Sequence, residues 1–181
     1  MIISPSVLLP LIHKGKLIKN LSKRELSTPE GAGFDLTVGA VYRLDGAGSL
    51  LLNTRETSRA IPIISDMVQE EKNPVLNLCG NELYLVTTIE TFSLADDMMA
   101  IFHPRSTLFR SGVIFQSGVA PFGYKGPMTF LLHVANPAGF KLQIGARFAH
   151  VNILAVEGTS FAYRGQWQAG RVVTSGVEEQ K

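Results

Sequence analysis

Two arginines flank a Ser-Thr pair in the stretch "PRSTLFRSG", residues 104–112. Guanidinium groups match phosphate oxygens bidentately, and Ser106 and Thr107 can add hydroxyl and backbone donors beside Arg105 and Arg110. That pattern suits a polyphosphate site, and without a GxxxxGK[ST] run it is not a Walker loop. A solvated turn that caps its own backbone fits the same residues. "GAGFDLTVG" (31–39) sets Asp35 at the beginning of a strand, after two glycines. Glycine permits close backbone approach, as a ligand loop needs, while a turn whose aspartate caps backbone amides is the plainer reading. "GVAPFGYKG" (118–126) carries Tyr124 in a glycine-bounded turn. Its ring can wall a sugar or base, or simply be a half-buried aromatic with a bonded hydroxyl.

Other reactive residues are sparse. His103, His133 and His150 fall on three different candidate strands, with no HxH or HxxxH pair, so ordinary sheet positions are expected for most of them. Cys79 stands alone, which excludes an internal disulfide, a Cys-rich zinc centre and the HxE…PCxxC zinc-deaminase signature.

The elements that must hold these residues are mainly β. From residue 34 onward "VYRL", "LYLVTTIETFSL", "MAIFH", "GVIFQSGVA", "MTFLLHVAN" and "RFAHVNILAV" are short, rich in branched and aromatic residues, and punctuated by Gly, Pro and Asn. Such spacing predicts a sandwich or barrel. Ahead of them, Ser4 as cap, Pro5 at the first helical position and Gly15 at the exit predict a short helix with Leu8, Leu9, Leu11 and Ile12 as its apolar face. Pro10 conflicts with this and predicts a shortened or kinked helix. The polar stretch 55–74 is expected to leave the sheet. The tail from residue 161, "FAYRGQWQAGRVVTSGVEEQK", is expected to order only against something else.

A chain of 181 residues, 45% hydrophobic and 18% charged, fits one folded domain with a real core. A net charge of +2 without a basic block argues against a surface for polymeric nucleic acid. No apolar run approaches membrane-spanning length, and the first residues lack a basic n-region and cleavage signature, so no membrane partner and a cytoplasmic location are expected.

The order of the motifs is more specific than any one of them. AGFDL, RSTLFR, the GYKG turn, "LQIGARFAHVNI" and "YRGQWQAGR" together resemble the five-motif layout of the trimeric dUTPase and dCTP deaminase family. "MIISPSVLLPLIHKGKLI" looks like the N-terminal helix of dCTP deaminases, and "RSTLFRSGV" is closer to their RSSLAR-x-G than to the dUTPase RSGLA. The resemblance implies a distorted β jelly roll, a β-clip, over residues 1–160, with 161–181 as an arm that closes over the site. It implies a homotrimer with sites between subunits, a deoxynucleoside triphosphate as ligand, and Mg²⁺ carried by the phosphates rather than by protein ligands. Carried over by motif, Ser106 and Arg110 contact phosphates and count with the catalytic residues, Arg105 lies nearby and Thr107 joins the nucleotide site, and Tyr124 packs on the deoxyribose and excludes a ribose 2′-hydroxyl. Asp35 braces the site, and Tyr163, Trp167 and Gln168 belong to the closing arm.

The residues of the chemistry itself depart from the pattern. Pro121 stands where a dUTPase has the aspartate that activates water. Leu131 or His133, depending on the direction of counting, stands where a dCTP deaminase has its glutamate. His133 is the candidate replacement base, with an ordinary strand histidine as the alternative. His150 takes the place of the usual glutamine of the fourth motif. The activity expected is conversion of dCTP to dUTP and ammonia. Hydrolysis of dUTP to dUMP and pyrophosphate, or nucleotide binding without turnover, are the alternatives.

Overall fold

The computed structural model describes residues 1–63, 73–95, 97–158 and 161–180. Helix α1 (Pro5–His13) begins after Ser4, as predicted, although the Ser4 hydroxyl bonds to Ser6 and caps nothing. It runs unbroken through Pro10. Pro10 and Ser6 both lie on the exposed side, where water can satisfy the Ser6 carbonyl that proline leaves without a donor. Leu8 and Ile12 are buried beneath it.

Short strand β1 (Leu17–Lys19) and helix α2 (Lys23–Ser27) lead into β2 (Phe34–Asp45). Then come β3 (Ser49–Leu50), β4 (Thr54–Glu56), β5 (Arg59–Pro62), β6 (Val75–Leu78), β7 (Leu83–Ser93) and β8 (Met98–Pro104). After the short helix α3 (Ser106–Arg110) follow β9 (Val113–Gln116), β10 (Lys125–Val134), β11 (Phe140–Gln143), β12 (Arg147–Ala155) and β13 (Glu178–Glu179). Part of the stretch expected to leave the sheet does not: β5 pairs with β2, placing Tyr42 opposite Pro62 and Asp45 opposite Arg59. Residues 55–58 do stay off it, Arg55 and Glu56 lying in β4 of a separate three-stranded sheet with β3 and β13, and residues 64–72 lie outside the described residues.

All pairing among the described residues is antiparallel. The main sheet runs β8-β12-β2-β7-β10-β9, with β5 also on β2 and β1 also on β7. β2 changes partner along its length. Phe34–Thr37 pair with β12, and from Val38 onward the strand pairs with β7, through a bulge between Val38 and Val41. A strand that passes from one partner to another at a bulge is how a jelly roll turns its corner. Alternation along β10 follows the two-residue period: Met128, Phe130, Leu132 and Val134 are buried, while Thr129, Leu131 and His133 share the other, half-covered face. Edge-to-face rings link Phe92, Phe102, Phe130 and Phe148 through the core, and Phe115 stacks on Phe130. Such pairs add about 0.5–1.5 kcal/mol each beyond simple burial. No helix among the described residues is long and apolar enough to cross a membrane.

Candidate functional site

The corner in β2 brings Asp35 beside β12 and the end of β8. Its side chain is only 6% exposed, and it is surrounded by cations. Asp35 Oδ2 accepts from Arg105 Nη1 and, at 2.9 Å, from Arg147 Nη1. Oδ1 lies 2.9 Å from His150 Nδ1. The Asp35 backbone N–H donates to Glu25 Oε2 at 3.0 Å, and Arg24 is bonded to that same Glu25 carboxylate. Each of Arg105 and Arg147 uses a single Nη1 inward. Their remaining donors meet no protein acceptor among the described residues, and each side chain is about one third exposed, at 33% and 34%. Asp35 therefore fixes two guanidiniums by their inner edges, and five donors per group leave the outer edges able to grip an oxyanion.

His150 is oriented by the same carboxylate. A carboxylate only accepts, so Nδ1 carries the proton and Nε2 a lone pair. Burial pushes its pKa below the ordinary imidazole value; Glu25 opposes this and Arg105 reinforces it. The ring lies over Gly33, where a Cβ would stand 2.6 Å from Nε2 and 2.0 Å from the Val151 carbonyl. The glycine run before Asp35 thus serves close backbone approach, and Asn152 Nδ2 pins the loop by donating to the Ala32 carbonyl at 2.9 Å.

A second region forms around the 118–126 turn. Tyr124 is buried, and its hydroxyl donates to the Pro127 carbonyl at 2.5 Å. Burial, with Tyr163 nearby, pushes its pKa up to about 12. Tyr124 and Tyr163 meet edge to face, with centroids 6.0 Å apart. A cavity of about 580 Å³ opens here, lined by Leu85, Pro121, Tyr124, Thr129, Tyr163 and Trp167 among others. The C-terminal segment closes one side of it, packing against its own chain. Gln168 accepts from Lys125 N and donates to the Gly123 carbonyl, both at 2.9 Å. Trp167 lies under the Arg55 guanidinium, at 4.8 Å, and β13 pairs with β4. The ordering expected to need something outside is supplied by the chain itself.

The cavity and the cluster are apart within the chain. Ala120, between cavity residues Val119 and Pro121, pairs with Ala100 of β8. Arg105 follows five residues on, about 16 Å along an extended strand. Ser106, Thr107 and Arg110 lie exposed on α3, next to Arg105 but outside the Asp35 network; Arg110 leans on the Phe109 ring. His133 sits between Leu83 and Ile114 in register, four residues along β10 from Thr129, and does not line the cavity. Arg147, Arg24 and Glu25 were not singled out from the sequence. Arg147 had a signal, standing inside "GARFAH" three residues before His150. Ser22 and Glu25 form an S-x-x-E capping pattern, which suggests only a helix start.

Fold and site define an antiparallel jelly roll with guanidinium donors fixed around one buried carboxylate. A family model described as dCTP deaminase-like matches residues 4–154. The chain belongs to the dCTP deaminase-like family. It is 30% identical over 153 residues to a "probable deoxyuridine 5'-triphosphate nucleotidohydrolase" of Methanothermobacter thermautotrophicus, covering 84% of this chain and 96% of that one. It is 27% identical over 174 residues to a dCTP deaminase of Pyrobaculum neutrophilum, covering 96% and 95%. In fold it resembles the 2'-deoxycytidine 5'-triphosphate deaminase from Agrobacterium tumefaciens, with a TM-score of 0.59 and 19% identity. That likeness covers 84% of this chain and 47% of the longer one, so the chain spans about half its length.

Proposed function

We propose that the protein binds a deoxynucleoside triphosphate and converts dCTP to dUTP and ammonia. The observation that carries the binding is the pair of guanidiniums held by Asp35 with their outer donors unengaged, in a chain of the dCTP deaminase-like family. Arg105 and Arg147 take phosphate oxygens, and Ser106, Thr107 and Arg110 extend the grip along α3. Tyr124 walls the deoxyribose, with Tyr163, Trp167 and Gln168 closing the arm over it. The two halves, about 16 Å apart along β8 in one protomer, complete each other across the interfaces of a homotrimer. Leu83, Ile114 and Ile89, large apolar side chains each more than 40% exposed, supply surface for such contacts. Among the described residues no three His, Cys, Asp or Glu side chains converge on a metal position. In this reading Mg²⁺ arrives on the triphosphate and neutralises part of its charge. The setting is cytoplasmic nucleotide metabolism.

A second reading is hydrolysis of dUTP to dUMP and pyrophosphate. The phosphate grip is common to both reactions, and Pro121 and Leu131 or His133 leave both without their usual carboxylate; the Asp35–His150 pair, 2.9 Å apart beside the guanidiniums, favours chemistry at the phosphates. Calorimetry with dCTP, dUTP, dTTP and their ribose counterparts tests binding, and ammonia release from dCTP with Mg²⁺ tests deamination. Ammonia above that of a Ser106→Ala, Arg110→Ala double variant supports the first reading. Pyrophosphate without ammonia supports the second. Failure of every nucleotide to bind removes both.

A further inference from the structure

We infer that His150, oriented by Asp35, is the general base of a phosphoanhydride hydrolysis at the guanidinium cluster, its Nε2 taking the proton from the attacking water. This rests on the second reading above. The two carboxylate positions of the related enzymes hold Pro121 and, depending on the direction of counting, Leu131 or His133, and His133 does not line the cavity. His150 instead sits in a carboxylate–imidazole pair of 2.9 Å, the arrangement that fixes a histidine tautomer and stabilises the imidazolium it becomes. Nε2 has no hydrogen-bond partner among the described residues, and the His150 side chain, packed over Gly33, is 26% exposed. Arg105 and Arg147 converge on the same Asp35, so a phosphate on their outer edges lies beside the imidazole.

The groups facing His150 agree with this role. Asp35 faces it from β2, Arg147 from its own strand and Arg105 from the end of β8. His103 is its register partner on β8, and Glu25 and Arg24 approach from α2. Burial and Arg105 keep the ring neutral near neutral pH, with its lone pair available, while Asp35 and Glu25 stabilise the cation that follows. In the step, the water oxygen bonds to the α-phosphorus. The bond from that phosphorus to the bridging oxygen breaks, and its electron pair leaves with pyrophosphate. The water's proton passes to Nε2 and from there to solvent, leaving the nucleoside monophosphate.

The test uses the whole chain with dUTP and Mg²⁺, following pyrophosphate. In His150→Gln the amide can still donate to Asp35 but cannot take the proton. Its kcat should fall by about 10²–10⁴-fold, the usual effect of losing a positioned base. KM should move by less than about threefold, because ground-state binding is retained. The wild-type rate should fall as pH drops through a value below the ordinary imidazole range, and the residual rate of His150→Gln should lack that limb. A variant as fast as wild type, or a wild-type profile with no acid limb, overturns the inference. So does wild-type protein that binds dUTP calorimetrically yet releases no pyrophosphate, an outcome that leaves the binding reading intact. If His150→Gln does not fold, the wild-type pH profile alone decides.

Discussion

Gly33 decides how close His150 comes to the loop that carries Asp35. A methyl there would stand 2.0 Å from the Val151 carbonyl, a backbone atom that cannot turn aside. Gly33→Ala should therefore lower stability by about 2 kcal/mol, as overpacking does, seen as a lower urea midpoint at unchanged slope. It should also push His150 off Asp35, so any pyrophosphate activity should fall more than the affinity for nucleotide. Asp35→Asn separates the two roles of the carboxylate differently. It leaves Arg105 and Arg147 without their shared anion, and nucleotide affinity should drop by about tenfold or more in calorimetry, with about 2 kcal/mol of stability lost. The loss stays below the ~3–5 kcal/mol of a fully buried pair because the guanidiniums are partly solvated.

At the scale of elements, the bulged strands are stitched by a second buried carboxyl group, bonded to Thr37, the register partner of Arg147. Glu90 on β7 is fully buried and accepts from Thr37 N at 2.9 Å and from the Thr37 hydroxyl at 2.7 Å, joining β7 to β2 beside the bulge. Burial pushes its pKa up, against the pull of those hydrogen bonds. A carboxyl whose folded pKa is raised lends its full stability below the ordinary glutamate value and loses it as pH rises through the folded value. Glu90→Gln, which cannot ionise, should hold its urea midpoint over that rise while wild type declines. Turn and arm meet as closely as strand and strand. Gly126 has φ +128°, and a Cβ there would lie 2.5 Å from Gly170 N. Gly126→Ala should unseat residues 161–180, read as faster cleavage of that segment in limited proteolysis.

These elements differed in how plainly the sequence announced them. The long strands β7, β10 and β12 carry runs of branched and aromatic residues and were foreseen, as was α1. "GVIFQSGVA" was overread, since only Val113–Gln116 forms a strand. Strands of two to four residues, such as β3, β4 and β13, have too few positions to show a period, and only their partners define them. Within the site, Asp35 and Arg105 were legible from their motifs. The pairing of His150 with Asp35 spans 115 residues and exists only because β12 lies against β2, so no local pattern could announce it.

For the whole molecule, assembly is the property that joins the cavity of one protomer to the cluster of another in the proposed reading. Ile114 is 48% exposed on β9, in register with His133 and close to Leu83 on the same sheet face. Ile114→Glu should shift the protein from three chain masses toward one in sedimentation velocity. The dissociation constant should rise by at least about a hundredfold, since a charge buried in an apolar contact costs ~3 kcal/mol. Nucleotide turnover should disappear with the trimer, while the fold, read by circular dichroism, should persist.

The hydroxyl of Tyr124, tied to the Pro127 carbonyl and slow to ionise, clamps its ring in place under alkaline and acidic conditions alike. Discrimination against ribonucleotides, if this wall provides it, is then a matter of shape that acidity leaves untouched. A fall in pH through the lowered pKa of His150 would silence the proposed histidine chemistry yet leave the protein a selective sponge for deoxynucleotides.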